Sequence, residues 1–236
     1  MPNDLRFKAA VFDMDGTLTD TMRVIPAILA EELEIACQGV QFKKFQNWLA
    51  PYYYKKHSWL NKSLPFHLAK AFNRSLLGIS HVFARTGIQY ARNLKKTRVF
   101  PGTMEVLSSV STFGLDLGLA TNGRKIEVQK KLPPEVRSMF KVIVTKEWGI
   151  SKKPKPDLIL LAAKRLKIAP KDLIYVGDTL ADMLASKAAG CEFILVSTGS
   201  FGPDTVEVNG KPPNHVIYDL RDVPGLIQNL LANFSP

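Results

Sequence analysis

At 236 residues and 46% hydrophobic content, the chain can bury a full core, as one large domain or as a domain with a smaller partner. No apolar run approaches the roughly 18 residues of a membrane span, and the opening "MPNDLRFK" lacks the apolar stretch of a signal peptide, so a soluble cytoplasmic protein is expected. Only Cys37 and Cys191 are present, far apart, which excludes a disulfide framework and gives neither a disulfide partner nor metal-ligand spacing; as small buried residues they need no function. Internal repeats and low-complexity tracts are missing, which excludes solenoids and linkers, and the formal net charge is +11.

The first element is "KAAVFD" over 8–13, a short apolar run ending in an acid, followed by Asp15 and Gly16. A side-chain period of two puts Asp13 and Asp15 on one side of an extended chain, where like charges repel unless a cation or a task keeps both. Gly16 allows a tight turn there. A polar turn is the plain alternative; a calcium loop would need more oxygen ligands and a distal Glu than "DMDGTLTDTMRV" supplies. Next, 21–98 reads as several helices without a convincing strand, with Pro26 marking a first turn, and Pro101 and Gly102 punctuate the return. Strands are then expected at "LDLGLAT", "KVIVT", "DLIYVG", "CEFILVS" and, more weakly, "HVIYDL". Helical patterns fill 103–113, 123–132, 157–167, 179–189 and 222–233. This alternation predicts a parallel α/β sheet with helices on both faces and a helical second domain inserted after the first strand.

In such a sheet the reactive crevice lies beyond the carboxyl ends of the strands. The ends here are polar: Asp13 with Asp15, then Thr121 and Asn122, then Gly177 and Asp178 with Asp182 four residues on, and "SKKPKPD" lies before the last of these. Each has a plain reading as a helix cap or solvated loop, but the plain readings must hold at every strand end together. Magnesium chemistry accounts for the set as a whole. The ion takes hard oxygen ligands, which Asp13 and Asp178 can supply with Asp182 behind them. Thr121, the backbone N–H groups opening the next helix and one lysine suit the oxygens of a phosphoryl group, and a carboxylate can act as the nucleophile.

"DMDGT", "ATNGR", "KPKPD" and "GDTLADMLASKAAG", in this order and with a long insert after the first, resemble the four signature motifs of the haloacid dehalogenase superfamily of phosphohydrolases. The similarity runs from residue 8 to about residue 200 and is greatest to the phosphoglycolate phosphatase branch, which carries a helical cap in that place. The resemblance implies a Rossmann-like core of residues 1–20 and 99–236 and an all-α cap of residues 21–98. It also implies that Asp13 is the nucleophile and Asp15 the general acid and base. Thr121 and Asn122 would hold the phosphoryl group, and Lys153 would neutralise charge, whereas Lys152 and Lys155 are expected to be ordinary loop lysines. Magnesium would be held by Asp13, the backbone carbonyl of Asp15 and Asp178, with Asp182 assisting. An acid at Asp15 favours phosphate esters, whose alkoxide leaving groups need a proton. Sugar phosphomutases share both aspartates and the helical cap, and differ in the acceptor of the phosphoryl group.

From Ile35 to Met104 there is no Asp or Glu but there are eight lysines and four arginines, +12 in all, which leaves −1 for the rest of a chain of net +11. Aromatics interleave with these charges in "FKKFQNWLAPYYYKKHSWL". A solvated helical face, attraction of a small phosphorylated metabolite, and docking on nucleic acid or an anionic membrane all remain open for this segment. His57, His67 and His81 have no partners at ligand spacing and are not expected to bind metal.

Overall fold

A computed structural model describes residues 6–34, 44–45, 48, 64–146, 149–197 and 213–232. Six strands form one parallel sheet: β1 (Ala9–Phe12), β2 (Asp116–Ala120), β3 (Val142–Val144), β4 (Leu173–Gly177), β5 (Glu192–Val196) and β6 (His215–Ile217). Their spatial order is β3-β2-β1-β4-β5-β6. The chain therefore grows outward from β1 to β3, then crosses back to continue on the other side of β1. That reversal opens a crevice at the carboxyl ends of β1 and β4, where the connections leave in opposite directions.

Among the described residues the helices with full ranges are α1 (Thr21–Glu32), α2 (Leu64–Ala71), α3 (Leu76–Arg92), α4 (Thr103–Thr112), α5 (Lys125–Lys131), α6 (Pro134–Ser138), α7 (Asp157–Leu166), α8 (Leu180–Ala189) and α9 (Val223–Ala232). Strand alternation divides the core. Ala10, Phe12, Leu117, Leu119, Ile174 and Val176 face α4 and α9, whereas Ala9, Val11, Tyr175 and Leu195 face α7 and α8. Burial on both faces is why these strands read as continuous apolar runs, each fully buried large side chain contributing about 1.5–3 kcal/mol. A separate cluster of Leu29, Leu33, Leu64, Leu68, Ile79 and Val82 joins α1, α2 and α3.

Three local readings need correction. Pro26 lies inside α1, well past its first turn; it removes one helical donor, and the helix continues because Ile28, Leu29 and Ala30 are buried beyond it. The helix expected over 123–132 is α5 alone, and Pro133 and Pro134 end it and start the unforeseen α6, with Pro134 in its first turn. The last strand is also shorter than "HVIYDL", stopping at Ile217. No helix of the described residues is long and apolar enough to cross a membrane. Cys37, His57 and most of the aromatic stretch over 42–60 lie outside the described residues, while His67 and His81 are exposed and Cys191 is a half-buried free thiol.

Candidate active site

The β1 ladder extends one residue past the strand, because the Asp13 N–H donates to the Val176 carbonyl at 2.8 Å. This bond ties the end of β1 to β4 and fixes the Asp13 carboxyl in the crevice. Gly16 follows with φ +89°, and a Cβ at that position would lie 2.0 Å from Asp178 Oδ2. Glycine is required there twice over, by its backbone conformation and by its closeness to the Asp178 carboxylate. Thr17 donates to Asp178 Oδ1 at 3.3 Å. On β2, the Thr121 N–H still pairs with Val144 at 3.0 Å, and the Thr121 hydroxyl oxygen accepts from the Gly123 N–H at 3.0 Å, which leaves the hydroxyl proton for an acceptor.

Lys153 arrives from the loop before α7, and Asn122 holds it there. The Lys153 N–H donates to Asn122 Oδ1 at 2.9 Å, and Asn122 Nδ2 donates back to the Lys153 carbonyl at 3.3 Å. With its main chain clamped, Lys153 Nζ reaches Asp13 Oδ1 and Asp182 Oδ1, each at 2.6 Å, and the Tyr175 hydroxyl at 2.8 Å. The Tyr175 hydroxyl in turn donates to the Ala120 carbonyl at 2.7 Å. Lys152 and Lys155 are exposed. Asp182 caps α8 in a reciprocal box with Thr179: its Oδ2 accepts from the Thr179 N–H at 3.0 Å and from the Thr179 hydroxyl. Both Asp182 oxygens therefore already meet protein donors.

Asp13, Asp178 and Asp182 are all buried and bring carboxylate oxygens within 4.8 Å of one another. Three carboxylates and one ammonium give this pocket a formal charge of −2. The titrations follow from that imbalance. Burial, reinforced by Asp182 and opposed by Lys153, pushes the Asp13 carboxyl up to about 7. Burial and the neighbouring Asp182 and Asp13 charges raise Asp178 well above the usual carboxylate range. Burial pulls Lys153 down, but Asp13 and Asp182 outweigh it and hold the ammonium well above its ordinary value. A buried set of hard oxygens with two uncompensated negative charges fits a divalent cation. The Asp13 and Asp178 carboxylates are the members not already bonded out.

Asp15 is placed differently. Its side chain is 30% exposed, and its Oδ1 accepts from Lys131 Nζ at 2.7 Å, from Thr19 at 3.4 Å and from the Thr21 hydroxyl. Contacts thus join Asp13, Asp178, Asp182, Lys153 and Asn122, while Asp15 and Thr121 follow the ends of the paired strands β1 and β2. Sequence reading did not single out Tyr175, Thr17 or Lys131. Tyr175 sits inside an apolar strand run, and Lys131 is one of two adjacent lysines closing an amphipathic helix, where a solvated side chain is the ordinary expectation.

The haloacid dehalogenase-like hydrolase family profile matches residues 10–196. A phosphoglycolate phosphatase of Shigella sonnei is 29% identical, over 92% of this chain and 90% of that one. Among solved structures, a haloacid dehalogenase family hydrolase from Deinococcus radiodurans, with bound phosphate and sodium, superposes with a TM-score of 0.75 at 18% identity, covering 97% of this chain and 98% of that one. A β-phosphoglucomutase candidate from Thermotoga maritima gives a TM-score of 0.69 at 20% identity, covering 95% of this chain and all of that one. These structural likenesses establish the shared fold, and the family profile spans most of the chain. The four motifs, the sheet that aligns their strand ends and the profile spanning them agree: this chain belongs to the haloacid dehalogenase-like hydrolase family.

Proposed function

We propose that the protein is a magnesium-dependent phosphatase that hydrolyses a small phosphate monoester through an aspartyl phosphate on Asp13, with residues 21–98 as its cap. The chain is a phosphoric monoester hydrolase, and phosphoglycolate, the substrate named for its relatives, is the first ester to test. The observation that carries the reading is the buried contact of Lys153 with Asp13 inside a carboxylate pocket of charge −2.

Asp13, Asp178 and the Asp15 backbone carbonyl would hold the ion, which supplies positive charge for the phosphoryl oxygens when bound. Asp182 contributes through Lys153, fixing its ammonium between two carboxylates. The Asp13 carboxylate attacks phosphorus, the phosphorus–oxygen bond to the leaving group breaks, and Asp15 delivers a proton to that oxygen. Asp15 then takes a proton from water as the water attacks the aspartyl phosphate, releasing inorganic phosphate and restoring Asp13. Lys153 and the Thr121 hydroxyl face the oxygens on which charge accumulates. Asn122 works one step removed, by clamping the Lys153 main chain.

Phosphate release from phosphoglycolate, p-nitrophenyl phosphate and a panel of phosphorylated metabolites, with magnesium and with EDTA, tests the reading. Turnover is expected with magnesium only, and Asp13→Asn should abolish it. Activity undiminished in EDTA, or Asp13→Asn activity within about tenfold of wild type, which is only about 1.4 kcal/mol of barrier, would overturn it. Transfer to a sugar hydroxyl without phosphate release would identify a mutase instead.

A further inference from the structure

Lys131 ends α5 with its side chain fully buried, although a lysine at a helix end ordinarily reaches into water. Three groups surround its ammonium. Asp15 Oδ1 lies at 2.7 Å, Glu127 Oε2 at 3.5 Å, and the ring of Tyr90 has its centroid at 5.1 Å. Tyr90 belongs to α3, in the segment read as the cap, so Lys131 joins that segment to the core at Asp15. Burial pushes the Tyr90 hydroxyl up to about 12, so the ring beside the Lys131 ammonium stays neutral. Lys131, Thr19 and Thr21 all engage Oδ1 of Asp15, and among the described residues no hydrogen bond reaches Oδ2.

We propose that Lys131, braced by Tyr90, is a positioning residue for Asp15: it pins Oδ1 so that Oδ2 is presented to the leaving-group oxygen. This rests on the reading of Asp15 as the proton donor. A long, flexible ammonium is a poor anchor in water, but here the Tyr90 ring and Glu127 confine it, and its own rotamer freedom is already lost. The anchor is complete only while α3 lies against α5. Proton delivery is thereby tied to the seated position of the helical segment.

Leaving-group dependence separates this from a structural role. Phenyl phosphate and p-nitrophenyl phosphate differ by one nitro group, and the first expels a much more basic oxygen that needs the proton. Values of kcat/KM report ester cleavage. Lys131→Met should lower kcat/KM for phenyl phosphate by about thirtyfold and for p-nitrophenyl phosphate by less than about threefold, a share of the 10²–10⁴ that general acid catalysis supplies. Lys131→Arg should restore most of the difference, and Tyr90→Leu, which keeps the apolar bulk but removes the ring face, should show a smaller split in the same direction. These two milder variants decide the matter if the methionine variant does not fold. Asp15→Asn serves as the reference and should show the largest split. If it shows none, the proton-donor reading and this proposal fall together. If Asp15→Asn splits the two esters while the Lys131 and Tyr90 variants lower both equally or neither, the proposal alone is overturned.

Discussion

Replacing Lys153 with methionine is the sharpest test of the carboxylate pocket. The side chains involved are almost wholly out of water: Lys153 is 3% exposed, Asp13 7% and Asp182 1%. Losing the ammonium changes the formal charge of the pocket from −2 to −3 and leaves two 2.6 Å contacts without a cation. Removing one partner of a buried ion pair costs about 3–5 kcal/mol, because the surviving charge keeps its desolvation penalty. For a domain of this size each kcal/mol moves the midpoint by about 2–4 °C, so a fall of about 6–20 °C is expected. The deficit should depend on pH in a stated direction. A carboxyl held above its unfolded pKa destabilises the fold as pH rises, and loss of Lys153 raises these carboxyls further, so the deficit is large at pH 7.5 and shrinks towards pH 5. Thermal unfolding in EDTA at the two pH values measures it. Lys152→Met and Lys155→Met, exposed loop changes, should stay within about 0.5 kcal/mol of wild type. A Lys153→Met midpoint within about 2 °C of wild type at pH 7.5, below the smallest shift worked out above, would refute the electrostatic account of the pocket.

Two further outcomes follow from the same geometry. In EDTA, Asp13 titrates at about 7 in the folded state against an ordinary 3.8, so the folded state binds more protons and stability falls as pH rises between these values. At 1.36 kcal/mol per unit the Asp13 share lost between pH 4.5 and 7.5 is on the order of 3 kcal/mol; urea unfolding at these two pH values should show Asp13→Asn lacking it, and equal slopes in the two proteins would contradict the assignment. Gly16→Ala should strain a left-handed residue by about 1–2 kcal/mol. Because its Cβ would lie 2.0 Å from Asp178 Oδ2, turnover should fall far more than this strain implies, and magnesium should be required at higher concentration. Unchanged magnesium dependence would show that Asp178 does not serve the ion.

The sheet and its polar strand ends were legible because each depends on short-range pattern. Continuous apolar runs such as "LIYVG" mark strands buried on both faces, and the turn residue after each run lies at the same end of a parallel sheet. Asp13, Thr121 and Asp178 could be placed together on that ground, with no knowledge of what packs on them. Lys153 was legible only through the resemblance, since nothing in "SKKPKPD" itself distinguishes three lysines. The structure distinguishes them by an Asn122 clamp reaching across 31 residues of sequence. Lys131 and Tyr90 were illegible for the same reason in stronger form. Their meeting joins α5 to α3, and neither helix carries a pattern that specifies the other. The break of α5 at Pro133, by contrast, was open to reading, because two consecutive prolines cannot continue a helix.

The charge distribution makes one further demand on the reaction. On the proposed reading the chemistry calls for carboxylates, and a buried pocket of formal charge −2 would repel a phosphate dianion. A divalent ion brings that pocket to neutrality and no further, so net attraction has to come from outside it. Residues 35–104, with +12, are the part of the chain that has it. The surplus is uneven there: Arg74 and Arg85 are paired with Glu34 and Glu32 at 3.2 and 2.8 Å, whereas Lys70, Arg92 and Lys95 are exposed. At physiological salt an exposed charge acts over about 8 Å, which confines any steering to residues near the mouth of the crevice. Lys131 is not among them, because its side chain is fully buried. If the proposed metal neutralises the nucleophile's surroundings, raising salt should lower kcat/KM more than kcat for a small phosphate ester, and a kcat/KM indifferent to salt would leave the surplus of 35–104 without a part in attracting substrate.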